Sequence, residues 1–295
     1  MEQKKLKILF GCLLYREFTG SEMYVFELCK NFVKNGHDVS VVSPSIEGPL
    51  RYLSESLGIK VYDYNNAPVK ENFDIIHGQH YPVVDILVNA FPNTPIITTI
   101  HSEVIDLENP VISPKIKKYI CIRPEIKEHI INNFKIDESV TEVIYNPIDE
   151  ERFNKKDTEN NNSILFVGTI DYLRKTSIFD ISDYCEMNNK ELWLVGKNHS
   201  NYLNELVSKP HVKYFNETNR VENFTKKCGE TAGILLGRTT IEGWMCGKSG
   251  WIYDINSNGK ILSKTLNEPP KDVDKFYSTN VSNKILNEYY KILSV

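Results

Sequence analysis

The feature that most constrains this chain is a rhythm. Short β-branched runs alternate with longer stretches of helical apolar spacing, stop at one polar segment, and then begin again. Leu6–Leu14 reads as a buried first strand, and Ser21–Asn35 as a helix in which Met23, Phe26, Leu28, Cys29, Phe32 and Val33 recur near three- and four-residue spacing. Gly36 stops that helix. Val39–Ser43, Ile59–Tyr62, Asp74–His77, Ile96–Ile100 and Tyr119–Ile122 follow as further strands. Strand runs separated by helical segments predict a parallel sheet built from βαβ units, so residues 1–153 read as one Rossmann-like domain.

Asn154–Asn162 (NKKDTENNN) is polar throughout and reads as the linker. Beyond it the rhythm restarts, with strands at Ile164–Val167, Leu192–Val195, Val212–Phe215, Gly233–Leu236 and Trp251–Tyr253. Helices are expected near Ser177–Met187 and Arg220–Cys228 and from about Thr240. Residues 164–270 therefore read as a second α/β domain. The tail, 271–295, holds one helix over Val281–Leu293, whose Val281, Ile285, Leu286, Tyr289 and Leu293 require an apolar surface to cover.

Composition narrows the classes. With 295 residues, 41% of them hydrophobic and 25% charged, and with no apolar run long enough for a bilayer, a soluble two-domain protein is expected. The lysines before Leu6–Leu14 imitate a secretion signal, but Tyr15, Arg16 and Glu17 follow where small cleavage-site residues would stand. Six cysteines lie far apart and inside apolar runs, which reads as reduced thiols in a cytoplasmic protein. A net charge of −4 gives nucleic-acid binding no support and leaves contact with a membrane surface open.

Three turns have the makings of an anion site. Gly20 and Ser21 open the first helix, where unpaired amides and the positive end of the dipole favour a phosphate; Ser21 as a plain N-cap is the competing reading. Gly168 ends a strand, and the cations Arg174 and Lys175 follow where a parallel strand's carboxyl end meets ligand; a solvated basic pair is the alternative. Arg238-Thr239-Thr240 carries the chain from strand into helix, so that the Thr239 and Thr240 amides face an anion while Glu242, in the first turn, accepts hydrogen bonds from a ribose diol. Glu242 as a mere complement to the helix dipole is the plainer explanation.

Ile8–Gly36, Ile164–Lys175, Leu192–Gly196 and Gly233–Asp254 resemble, in order and spacing, glycosyltransferase family 4. Phe73–His77, Thr98–His101 and Ile144–Asp149 are similar to further segments of that family. The resemblance covers nearly the whole chain. It implies the GT-B fold, with two Rossmann-like domains facing across a cleft and a C-terminal helix returning to the first. It also implies a retaining, metal-independent hexosyl transfer from a nucleoside-diphosphate sugar to a hydroxyl acceptor, with no cofactor. Under it Glu242 holds the ribose, Arg174 or Lys175 the diphosphate, and His101 lies near the transferred sugar. The resemblance also implies a pair of glutamates separated by seven residues, of which Glu242 matches the second; Ile234 stands in the place of the first, and Thr169 in the place of the family's diphosphate arginine. Those departures keep two alternatives in view: a non-catalytic nucleotide-sugar or glycan-binding protein, and a nucleotide-sugar epimerase.

His77 and His80 are spaced as a metal could use but lack a completing ligand, so they are expected to line a cleft. Asp272-Val273-Asp274 superficially resembles a metal-binding Asp-x-Asp, and its proline-flanked surroundings predict a solvated connection instead.

Overall fold

The structure is a computed structural model, and residues 4–294 are described. It divides into two compact units, one comprising the chain up to Pro147 together with the segment from Ser278, the other Ile148–Tyr277.

The first unit begins with β1 (Lys7–Gly11), α1 (Gly20–Lys34), β2 (Asp38–Val42), α2 (Pro49–Ser56), β3 (Lys60–Tyr62) and β4 (Ile75–Gln79). It continues with α3 (Tyr81–Ala90), β5 (Ile96–Ile100), β6 (Ile116–Cys121), α4 (Pro124–Phe134) and β7 (Thr141–Val143). All its strand pairings are parallel, in the order β3-β2-β1-β4-β5-β6-β7. The order reverses between β1 and β4, which is where open α/β sheets hold ligands, beyond the strands' carboxyl ends. Gly11 and Gly78 are partners at that point, and a β-carbon on Gly11 would press into Leu87 of α3 and one on Gly78 into Val84 of the same helix. Their small size lets α3 sit close to the sheet.

The second unit contains β8 (Ser163–Val167), α5 (Lys175–Met187), β9 (Glu191–Val195), α6 (Leu203–Val207), β10 (Val212–Phe215) and α7 (Glu222–Thr225). After these come β11 (Glu230–Ile234), α8 (Arg238–Met245), β12 (Ser249–Ile255) and β13 (Ile261–Asn267). Its sheet runs β10-β9-β8-β11-β12-β13 and is parallel except for β13, which returns antiparallel to β12. The switch point lies between β8 and β11. β13 is absent from the sequence reading although Asn258-Gly259, with Gly259 at φ +74°, marks the tight turn that makes the hairpin. β11 starts three residues before the predicted strand, because Glu230 and Thr231 pair with both β8 and β12 despite their polarity.

The polar run 154–162 is bound into the second unit. The Glu159 and Asn161 amides donate to the Lys226 and Lys227 carbonyls, at 2.7 and 3.0 Å. The buried Lys248 ammonium reaches the Glu159 carbonyl and Asn160 Oδ1. The unit boundary accordingly falls earlier, at Pro147–Ile148.

The last helix, α9 (Ser278–Leu293), belongs to the first unit. Val281, Ile285, Leu286 and Tyr289 are buried in that unit's core, and the Tyr290 hydroxyl donates to the Lys4 carbonyl. No described helix is long and apolar enough to cross a membrane.

Candidate functional site

In the first unit the turn after β1 leads to α1, with Thr19, not Ser21, as N-cap. Thr19-Gly20-Ser21-Glu22 is a capping box, legible in the sequence as T-x-x-E. The buried Glu22 carboxylate accepts from the amides of Arg16, Glu17 and Thr19, at 3.1 to 3.3 Å, and from the Thr19 hydroxyl. Burial pushes its pKa up, and those hydrogen bonds oppose the shift. A carboxylate of the chain's own thus stands at this helix start. Gly20 and Ser21 are the first two residues of α1, and neither amide is among Glu22's donors.

Around the carboxyl ends of β4 and β5 lies a polar cluster that sequence reading located only in part. His77 is enclosed: Nδ1 bonds the Tyr289 hydroxyl and Nε2 the Thr99 hydroxyl, both at 2.6 Å. It is therefore a core residue, not a cleft-lining one, and burial takes its pKa down to about 3. His80 adopts φ +68°, a left-handed conformation that costs a non-glycine residue on the order of 1 kcal/mol. Its Nδ1 accepts from the Leu13 amide and its Nε2 lies 3.4 Å from Glu108. Burial lowers the His80 pKa to about 4 and raises that of Glu108 to about 7.

His101, just beyond β5, receives its place from this cluster. Its amide donates to Glu108, its Nε2 lies 2.7 Å from Gln79 Oε1, and the Tyr24 ring meets it edge-on at 5.0 Å. Burial drives its pKa well below the usual imidazole range, with His80, His77 and Arg123 adding to the effect. Glu108 carries no motif of its own. Its importance arises from a loop that returns to the strand end, which no local pattern announces.

In the second unit the predicted residues divide between the two strands at the switch point. Gly168 follows β8, and a β-carbon on Gly196 after β9 would collide with the Gly168 carbonyl, so these two strand ends are closely packed. Arg174 is the N-cap residue of α5 and Lys175 its first residue. Two cations at the positive end of a helix repel its dipole. Arg174 is countered by an ion pair with Asp171, and the exposed Lys175 ammonium sits 5.8 and 5.6 Å from the Phe179 and Tyr202 ring centres.

After β11, Leu235 takes φ +59°, and α8 starts at Arg238 with Gly237 as an N-cap that supplies no side chain. Glu242 consequently lies in the second turn, one turn later than expected. Its nearly buried carboxylate accepts from Arg238, with Nη2 at 2.9 Å and Nε at 3.1 Å. The Thr239 hydroxyl donates to the Val167 carbonyl at 2.9 Å, joining the α8 start to the end of β8. Thr240 contributes differently from expectation: its side chain is fully buried against Gly233 and Gly250. Only its amide remains a candidate contact. Gly168, Thr239, Arg238 and Glu242 are thereby brought to one corner of the unit. Asp272 pairs with Lys275 in a short solvated turn, as expected. Among the described residues no group of three or more histidine, cysteine or acidic side chains is gathered as a metal ion would need.

Residues 18–152 match the family model described as Glycosyltransferase Family 4. No curated protein matches the chain significantly. Among solved structures, Anabaena Alr3699/HepE in complex with UDP and glucose is similar at a TM-score of 0.71 and 16% identity, covering 98% of this chain and 92% of that one. A glycosyltransferase from Rickettsia africae ESF-5 is similar at 0.70 and 16% identity, covering 99% of each chain. AviGT4, a glycosyltransferase involved in Avilamycin A biosynthesis, is similar at 0.68 and 13% identity, covering 98% of each. The fold is that of the GT-B glycosyltransferases, and residues 18–152 carry the sequence signature of glycosyltransferase family 4.

Proposed function

We propose that this chain, with the family 4 signature over residues 18–152, transfers a sugar, most simply a hexose, from a nucleoside-diphosphate sugar to a hydroxyl acceptor with retention of configuration. The observation that carries the reading is the α8 start: a helix N-terminus with no side-chain cap, a nearly buried carboxylate one turn in, and a hydrogen bond to the strand end beside it. Uncapped amides suit the diphosphate, and Glu242 suits the ribose diol. Because Arg238 now holds Glu242, a ribose there either shares the carboxylate or displaces the guanidinium toward the diphosphate.

The bond from the anomeric carbon to the diphosphate oxygen breaks as that to the acceptor oxygen forms on the same face. The departing phosphate oxygen takes the acceptor's proton. Charge growing on the diphosphate would be stabilised by Arg174, Lys175 and the amides of Thr239 and Thr240, and by those of Gly20 and Ser21 to a lesser degree. His101 would orient the sugar. No metal or cofactor enters this scheme. The solved Anabaena Alr3699/HepE complex contains UDP, which makes uridine the first base to try.

A thermal-shift screen against UDP-, GDP-, ADP- and dTDP-sugars tests the donor class, since a ligand of the folded form raises its stability with occupancy. One clear donor is expected, and release of nucleoside diphosphate should follow. Failure of all four to bind would remove the reading. A second reading, binding without transfer, gains some support from the ion pair that already occupies Arg174. Tight donor binding with no nucleoside diphosphate released across a panel of sugar acceptors would favour it.

A further inference from the structure

We propose that Gln79 is a positioning residue that fixes His101 as the Nε2–H tautomer, leaving the His101 Nδ1 lone pair as an acceptor for a substrate hydroxyl. The chain of inference begins at a backbone carbonyl. Gln79, the last residue of β4, is buried, and its Nε2 lies 3.0 Å from the Ser21 carbonyl oxygen in the first turn of α1. That oxygen can only accept, so the amide must turn its NH2 group toward it. The opposite end, Oε1, then faces His101 Nε2 at 2.7 Å. Since Oε1 also only accepts, Nε2 must carry the proton.

A neutral imidazole has one N–H, so Nδ1 is then unprotonated. No described residue hydrogen-bonds to it, whereas the His101 amide is separately committed to Glu108. The ring is held neutral by its surroundings: Tyr24 from α1, His77 and His80 from the β4 end, and Arg123 before α4, itself paired with Glu103, while the Glu108 carboxylate accepts from the His101 backbone amide. Burial keeps its pKa low enough that the lone pair persists throughout the neutral range. Ends of three elements, α1, β4 and β5, thus set the polarity of a single nitrogen. The tautomer follows from geometry alone; its use toward a sugar hydroxyl rests on the donor reading above.

Nitrogen-15 spectra of ring-labelled histidine in the full chain test this at pH 7. The wild type should show His101 with a protonated Nε2 and an unprotonated Nδ1. A protonated Nδ1, or a mixture, would overturn the assignment. In Gln79→Leu the constraint is gone and a mixture of tautomers is expected, with turnover of the donor identified by screening reduced about five- to tenfold, the value of one hydrogen bond. A pure Nε2–H ring in that variant would show that Gln79 does not set the tautomer. In Gln79→Glu the new carboxylate still accepts from Nε2–H and favours the charged ring. The His101 titration and the acid limb of the turnover profile should then move to higher pH together, with activity recovered above that limb. A merely structural role for Gln79 would lower activity at every pH without moving the limb. If the wild type has the stated tautomer but transfers no sugar, the donor reading fails and the tautomer assignment stands.

Discussion

The starts of α1 and α8 present the same strand, turn and helix in opposite electrostatic states. At α1 the buried Glu22 carboxylate already gathers three backbone amides and a hydroxyl. At α8 the N-cap is Gly237, no side chain caps the helix, and the nearby carboxylate sits a turn further on, held by Arg238. A helix start that carries its own counter-charge gains less from a bound anion than one that does not. In the proposed reading, the main grip on a diphosphate falls to the second unit and the orientation of the sugar to the first unit's buried polar cluster.

The two units should also differ in response to acid, and this is the largest effect expected. His77 and His80 are buried neutral, whereas His199 is exposed and His211 half-buried in the second unit. As pH falls below about 6.5, the unfolded rings take up protons that the folded ones refuse, so stability is lost down to about pH 4 for His80 and about pH 3 for His77. Glu108 acts in the other sense. With its pKa raised to about 7, it keeps a proton that the unfolded chain releases above about 4.5, so it adds stability as pH falls from 7. His101 and His37 are lowered in the same sense as His77 and His80, and Glu22 is raised in the same sense as Glu108, so four histidines stand against two glutamates and the first unit loses stability on balance as the pH falls. Hydrogen exchange at pH 7 and pH 4.5 should show protection lost first in the first unit; earlier loss in the second would break the comparison.

A smaller effect concerns the seat of α8. A β-carbon at Gly243 would meet the Thr231 Oγ1 and Cγ2 at 2.6 and 2.7 Å, and the buried, β-branched Thr231 has little room to give. Gly243→Ala should destabilise the second unit by about 2 kcal/mol in a denaturant melt and weaken donor binding through it. An unchanged melt would mean that α8 is not held as described.

Glu242→Ala should weaken donor binding by roughly 10- to 30-fold, the value of hydrogen bonds to a charged group, whereas Asp272→Ala should leave it unchanged. Equal and small effects by calorimetry would count against the α8 site. The smallest change sharpens the contrast from the other side. Glu22→Ala should cost the first unit about 1 kcal/mol, as lost caps do, with donor affinity altered far less than by Glu242→Ala.

Much of the fold was legible because βαβ units repeat local signals that tertiary packing only has to confirm. The strand Ile96–Ile100 falls on the residues expected. Thr141–Val143 and β13 were not legible, since the first is three residues long and the second, Ile-Leu-Ser-Lys-Thr-Leu-Asn, is mostly exposed at a sheet edge and lacks the polar–apolar alternation of a half-buried strand. The polar run 154–162 reads as a linker in composition, yet Lys248, nearly ninety positions away, binds it. At the candidate site the turns proposed to bind an anion were visible as Gly, Ser, Thr and Arg at helix starts. The partners that decide their state were not. Glu22 was hidden in plain sight as a capping box, while Glu108 and Gln79 act on His101 only through the return of separate chain segments to one sheet end.

The most direct test follows backbone amides by NMR while the donor nucleotide, UDP first, is titrated into the protein. The account predicts the largest shifts at Gly168 and across Gly237–Glu242, with smaller ones at Thr19–Glu22. Shifts concentrated at the α1 start, with Gly237–Glu242 unmoved at saturation, would contradict it.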